Sequence, residues 1–87
     1  MSNEAEELNR ASEELERIIQ DESVPQNIRN SLEEAREHLL DEDKNMSERA
    51  ANGINILNDV SNDPNLPMHI RTQIWNISGE LETITME

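Results

Sequence analysis

Leu66-Pro67-Met68-His69-Ile70-Arg71-Thr72-Gln73-Ile74-Trp75 repeats a phrase that the chain has already used. The earlier version is Val24-Pro25-Gln26-Asn27-Ile28-Arg29-Asn30-Ser31-Leu32, and Pro67 follows Pro25 by 42 residues. Aligned without gaps, residues 15–40 and 57–82 share Leu15/Leu57, Asp21/Asp63, Pro25/Pro67, Ile28/Ile70, Arg29/Arg71 and Leu39/Leu81. Ile18/Val60, Val24/Leu66 and Leu32/Ile74 keep apolar character. The matches mark the end of one helix, a turn, a proline-led start and the buried stripe of a second helix. Proline suits that start because its missing N–H would have no intrahelical partner there. A helical hairpin written twice is the economical reading.

The apolar spacing outside the repeat agrees. Ala5, Leu8, Ala11, Leu15, Ile18 and Ile19 recur at helical steps over about Asn3–Gln20, with Ser2 or Asn3 as cap and Glu4, Glu6 and Glu7 at the positive end of the dipole. Val24, Ile28, Leu32, Ala35 and Leu39 stripe a second helix that ends near Leu40. After a polar linker at 41–45, Ser47 is placed to cap a third helix with Ala50, Ile54, Leu57 and Val60 on one side and Ala51 and Gly53 as small neighbours. Asp63-Pro64-Asn65 signals a turn, and Ile70, Ile74, Ile77, Leu81 and Ile84 form the cleanest seam of the chain.

The expected fold is therefore all-α: one domain over 1–87, made of hairpins at about 3–40 and 47–85. Two hairpins have no further repeat to cover their open sides, so they should close on each other as a four-helix bundle or pair with a second copy. The period, the turn Asp and the Arg one turn into the next helix look like a HEAT-class repeat. On that reading Asp21 and Asp63 would form structural ion pairs with Arg29 and Arg71, within or between hairpins. The alternative is that both arginines are solvated.

Composition narrows the functional classes. There is no Cys, which removes disulfides, thiolate nucleophiles and thiolate metal sites. No apolar run approaches a membrane span and no signal-peptide pattern opens the chain, so a cytoplasmic protein without a membrane role is expected. With 7 basic and 20 acidic residues the net charge is −13, and residues 1–43 hold most of it. A nucleic-acid backbone would repel such a chain, whereas a basic protein would not.

The chemistry-bearing residues do not assemble into a catalytic set. Asp41-x-Asp43-x-Asn45 opens like a calcium loop, but Met46 and Asn52 stand where a glycine and a bidentate glutamate belong. Glu34, His38 and Asp41 or Glu42 share a helix face that could clip a metal weakly, with Ala35 where the glutamate of a Glu-x-x-His pair is needed. His69 has no Ser or Cys nucleophile or placed second acid, and neither Gly53 nor Gly79 belongs to a phosphate loop. No cofactor is expected, and no enzymatic activity.

A surplus of apolar residues marks the second hairpin. Gln26 becomes Met68, Glu33 becomes Trp75, Ser12 becomes Ile54 and Glu14 becomes Ile56. Met68 and Trp75 share a helix face rotated off the Ile70–Ile84 seam. Either this hairpin needs two buried sides, or Met68, Trp75 and Ile56 form an interface for a partner or a second subunit.

Val24-Pro25-x-Asn27-Ile28-Arg29, Glu48-Arg49-Ala50-Ala51-Asn52, Asp63-Pro64-Asn65-x-Pro67 and Ile74-Trp75-Asn76 resemble a family of small uncharacterised archaeal helical proteins. The resemblance spans nearly the whole chain and implies a bromodomain-like four-helix bundle with no assigned activity. The expected role is a protein–protein interaction module whose partner is not identified, with a homodimer possible. The alternative is an acidic mimic of, or chaperone for, a basic nucleic-acid-binding protein.

Overall fold

A computed structural model describes residues 4–85 (side chains through 84), which form α1 (Glu4–Ile19), α2 (Gln26–Leu39), α3 (Met46–Ser61) and α4 (Met68–Thr85). The expected Ser2 or Asn3 cap lies outside the described residues. Each helix packs on the next, α1 also packs on α4, and no Cα of α2 comes within 8 Å of one in α4. The helices thus form a closed ring of four, with α2 and α4 on a diagonal. The contacts of α3 with α2 and α4 are the most extensive, and those of α1 with α4 are the sparser side of the ring.

The stripes read from the sequence build the core. Leu8, Leu15, Ile28, Leu32, Leu39, Leu57 and the whole Ile70–Ile84 seam are buried, while Ala5 is exposed and Ile19 and Ile54 are half-buried. Ile28 and Ile70, the paired residues of the repeat, are both buried. Where α3 crosses α2, Gly53 permits close approach: a Cβ there would lie 2.7 Å from Leu39 Cδ2 and 3.3 Å from its Cγ.

The loops are more alike than the sequence suggests. Asp21, Asp41 and Asp63 each accept, on Oδ1, the N–H two residues on: Ser23 at 2.9 Å, Asp43 at 3.0 Å and Asn65 at 2.8 Å. Their carbonyls accept the N–H groups of Val24, Lys44 and Leu66 at 3.1–3.2 Å. All three turns have the same secondary-structure pattern, and each hands over to a helix through a sixth residue: Pro25, Asn45 or Pro67. Both prolines precede the first helical residue and take N–H bonds on their carbonyls. The segment 41–45 is thus a third copy of the turn and not a linker. The expected cap of α3 is also corrected. Asn45 fills that role, its Oδ1 accepting the Glu48 N–H at 2.8 Å while the Glu48 carboxylate accepts the Asn45 N–H at 3.4 Å; Ser47 is exposed within the helix.

Candidate functional site

The aspartates and arginines expected as ion pairs meet differently. Arg71 donates Nε to the Ser61 carbonyl at 3.0 Å and Nη2 to the Asp63 carbonyl at 2.9 Å, while the Asp63 carboxylate is occupied by its own turn. Arg49, eight residues after Asp41 as Arg71 is after Asp63, donates Nε to the Leu39 carbonyl at 2.9 Å. Each arginine therefore satisfies the carbonyl of the last residue of the preceding helix, Leu39 or Ser61, and Arg71 also reaches the Asp63 carbonyl in the turn. Arg29 holds the same place after Asp21 but turns to the Gln26 amide oxygen at 2.9 Å, and its buried Nε has no hydrogen-bond partner. The residue three before the arginine is Gln26 in this copy and Met46 or Met68 in the others. Only Gln26 offers an oxygen that competes with the loop.

Two shallow grooves flank the ring. One, of about 240 Å³ between α1 and α4, is lined by Glu14, Arg17, Asp21, His69 and Gln73 among others. The other, of about 250 Å³ between α2 and α3, includes Ser31, Glu34, Ile56, Asp59 and Asp63. Both fall short of the roughly 300 Å³ at which small-molecule sites begin. No cluster of three or more metal-ligating side chains occurs among the described residues. Asp41 and Asn45 already use side-chain oxygens on local N–H groups.

In the α1–α4 groove, burial and then the nearby Glu80 push the Glu14 carboxyl above its usual value, against Arg17 and Arg10. Ser23, through its hydroxyl at 2.7 Å and its N–H, holds the Asp21 carboxyl below the usual range. A raised carboxyl disfavours the charged form in the folded state, so this contribution to stability falls as pH rises through the folded value. Glu14→Gln is accordingly expected to raise the melting temperature at pH 7, and the gain should vanish below the ordinary carboxylate range. Thermal melts at pH 3.5 and 7 check this; an equal or larger gain at the lower pH contradicts the assigned cause.

The apolar surplus of the second hairpin is divided by the fold. Met68 is 66% and Trp75 54% exposed. Thr72 and Gly79 are exposed on the same outer side of α4, at helical steps of 4, 3 and 4 from Met68. The idea that α4 needs two buried sides is thereby corrected: it buries one. Trp75 is one turn on from Arg71, whose guanidinium reaches Ser61, so the indole lies on the side of α4 next to α3. Ile54, two turns before Ser61, belongs to the same flank of α3. Ile56 does not, since it lines the α2–α3 groove with Asp59 and Asp63. The three candidate interface residues therefore do not share one surface.

Charge follows the same division. Between Ala50 and Gly79 only Asp59, Asp63 and Arg71 are charged; the aspartates line the other groove and Arg71 is engaged with carbonyls. The outer face of α3 and α4 carries Ala51, Ile54, Asn55, Asn58, Met68, Thr72, Trp75 and Gly79, with the exposed Glu48 and Glu82 on the same helix sides three residues before Ala51 and three after Gly79. On the opposite side α1 and α2 are acid-rich and joined by the Arg36–Glu16 ion pair at 3.1 Å.

Comparison with known proteins places these features in a wider set. The profile of an uncharacterised protein family, UPF0147, matches residues 1–84. A UPF0147 protein of Methanothermobacter thermautotrophicus is 50% identical over 84 residues, covering 97% of this chain and 80% of that protein. One from Archaeoglobus fulgidus is 49% identical over 80 residues, covering 92% and 91%. One from Pyrococcus abyssi is 45% identical over 85 residues, covering 97% and 99%. A crystal structure of a protein of unknown function, MMP1188, is similar to this fold with a TM-score of 0.87 at 46% identity, over 91% of this chain and 90% of that one.

Proposed function

We propose that this chain, which belongs to the uncharacterised protein family UPF0147, is a non-catalytic protein-interaction module that uses the charge-poor outer face of α3 and α4. The observation that carries this reading is Trp75, the sole aromatic residue, which is 54% exposed on the same side of α4 as the exposed Met68, while the Ile70–Ile84 seam of that helix is buried. Trp is favoured at the centres of protein interfaces because one rigid side chain removes a large area from water at little cost in conformational entropy.

The test compares wild-type and Trp75→Glu protein as bait in a native archaeal lysate. Proteins held by the wild type and lost by the variant support the reading, and identical captured sets together with no self-association through Trp75 overturn it. The acidic α1–α2 side supports a second reading, a mimic of or chaperone for a basic nucleic-acid-binding protein. Its partners should remain with Trp75→Glu and dissociate as salt rises, because exposed charge pairs are screened whereas apolar contacts are not.

A further inference from the structure

We propose that the occupant of the α3–α4 face is a second copy of this chain, with α4 packed antiparallel on its counterpart so that each Trp75 covers the partner's Gly79. This inference rests on the reading of that face as an interaction surface and names what binds there. Three observations point to a copy of the chain itself.

The first is shape. Gly79 sits in the interior of α4 and is exposed, and a Cβ built on it meets nothing within 4 Å. The fold of one chain thus has no use for a glycine that weakens an exposed helix relative to alanine. Four residues earlier on the same side stands the bulky Trp75. A twofold axis crossing the outer side of α4 at the level of Ile77 superposes the two positions, setting each indole into the notch left by the other glycine. A protrusion and a notch spaced equally about one point are self-complementary, as an isologous interface requires.

The second is charge. Two chains of net charge −13 repel each other, most strongly through the acidic α1–α2 sides. Meeting through α3 and α4 puts those sides on the outside of the pair. Each bundle is 17–19 Å across its short axes, well beyond the screening length of about 8 Å at physiological salt. A basic partner, by contrast, is drawn to the acidic side, because the outer face of α3 and α4 is poor in charge and carries carboxylates only at one end, at Glu48 and Glu82.

The third is area. Two helices about 25 Å long and about 10 Å wide offer roughly 500 Å² per copy, or about 1,000 Å² in the pair, the lower bound for a specific interface. An extent at this lower bound is that of a transient pair rather than a permanent one.

Sedimentation velocity on the full chain, from about 1 to about 300 µM in low and high sodium chloride, tests the proposal. The expected result is a mass that doubles across this range, a Trp75 emission that shifts to the blue in parallel, and a dimer that holds or tightens as salt rises. Trp75→Glu and Gly79→Gln are each expected to weaken it at least tenfold. Gly79→Gln replaces a helix-weakening residue in open space, so the monomer keeps its fold, as circular dichroism would verify. A single-chain mass throughout, a dimer that weakens with salt, or a dimer undiminished in either variant overturns the proposal. Lysate capture through Trp75 is measured separately, so monomeric behaviour would remove the second copy without removing the interaction reading.

Discussion

Replacing Gly53 by leucine is expected to destabilise the bundle by about 3 kcal/mol, whereas Gly79→Ala should stabilise it by about 0.5–1 kcal/mol. Both glycines lie inside helices, and in isolation each substitution would improve helix propensity. Their surroundings set opposite signs. The first added carbon at Gly53 would already lie 2.7 Å from Leu39 Cδ2 and 3.8 Å from the Ala35 carbonyl, and both of those residues are fully buried. Leu39 has nowhere to go, so α2 and α3 must separate and give up packing. At Gly79 the new side chain meets nothing, and only the smaller entropy of the unfolded chain matters. Against a total stability of roughly 4–13 kcal/mol for a domain of this size, the first change is a large fraction. Urea denaturation at low micromolar concentration reads both. An unshifted midpoint for Gly53→Leu would mean that α2 and α3 are further apart than described.

The second large effect is expected at the arginines, in the order Arg71, Arg49, Arg29. Arg71→Met removes two charge-assisted bonds to carbonyls and is expected to cost about 2–3 kcal/mol after allowance for its partial exposure. Arg49→Met removes one and should cost about 1–2 kcal/mol. Arg29→Met should change stability by no more than about 0.5 kcal/mol, because its bond to Gln26 lies on the surface of one helix and its buried Nε is already without a partner. Asp63→Asn separates this account from an ion pair. An asparagine oxygen can still accept the Asn65 N–H, so the expected cost is within about 0.5 kcal/mol. If the asparagine variant lost as much as Arg71→Met, the carboxylate would have to be Arg71's partner after all.

The chain is directly legible in some places and not in others. The Pro25/Pro67 repeat and the seam at Ile70–Ile84 identified two helices and their buried sides with little error, since both signals are local. The third turn copy was hidden. Its Asp41 and Arg49 keep the spacing of eight, but Lys44 and Asn45 replace the Val-Pro and Leu-Pro that flag the other two. Val24 and Leu66 are buried, whereas Lys44 is exposed. The clue to that copy was therefore the Asp-to-Arg interval and not hydrophobicity.

For the candidate surface, the residue types were legible and the grouping was not. Met68, Trp75 and Ile56 stand out as apolar replacements at polar positions of the first hairpin. Which of them belong together depends on which flank of α3 abuts α2 and which abuts α4, and no local spacing encodes that. Likewise Asp63 and Arg71 match by charge, although the guanidinium donates to the Ser61 and Asp63 carbonyls while the Asp63 carboxylate accepts the Asn65 N–H. Helix positions, turn residues and buried stripes depend on neighbours three or four residues away, so the amino-acid order determines them by itself. Exposure of Trp75, separation of Ile56 from it and the true acceptors of Arg71 depend on how four amphipathic helices close into a ring. Only that packing decides them, because it alone sets which side chains are left facing water and which polar groups come within bonding distance.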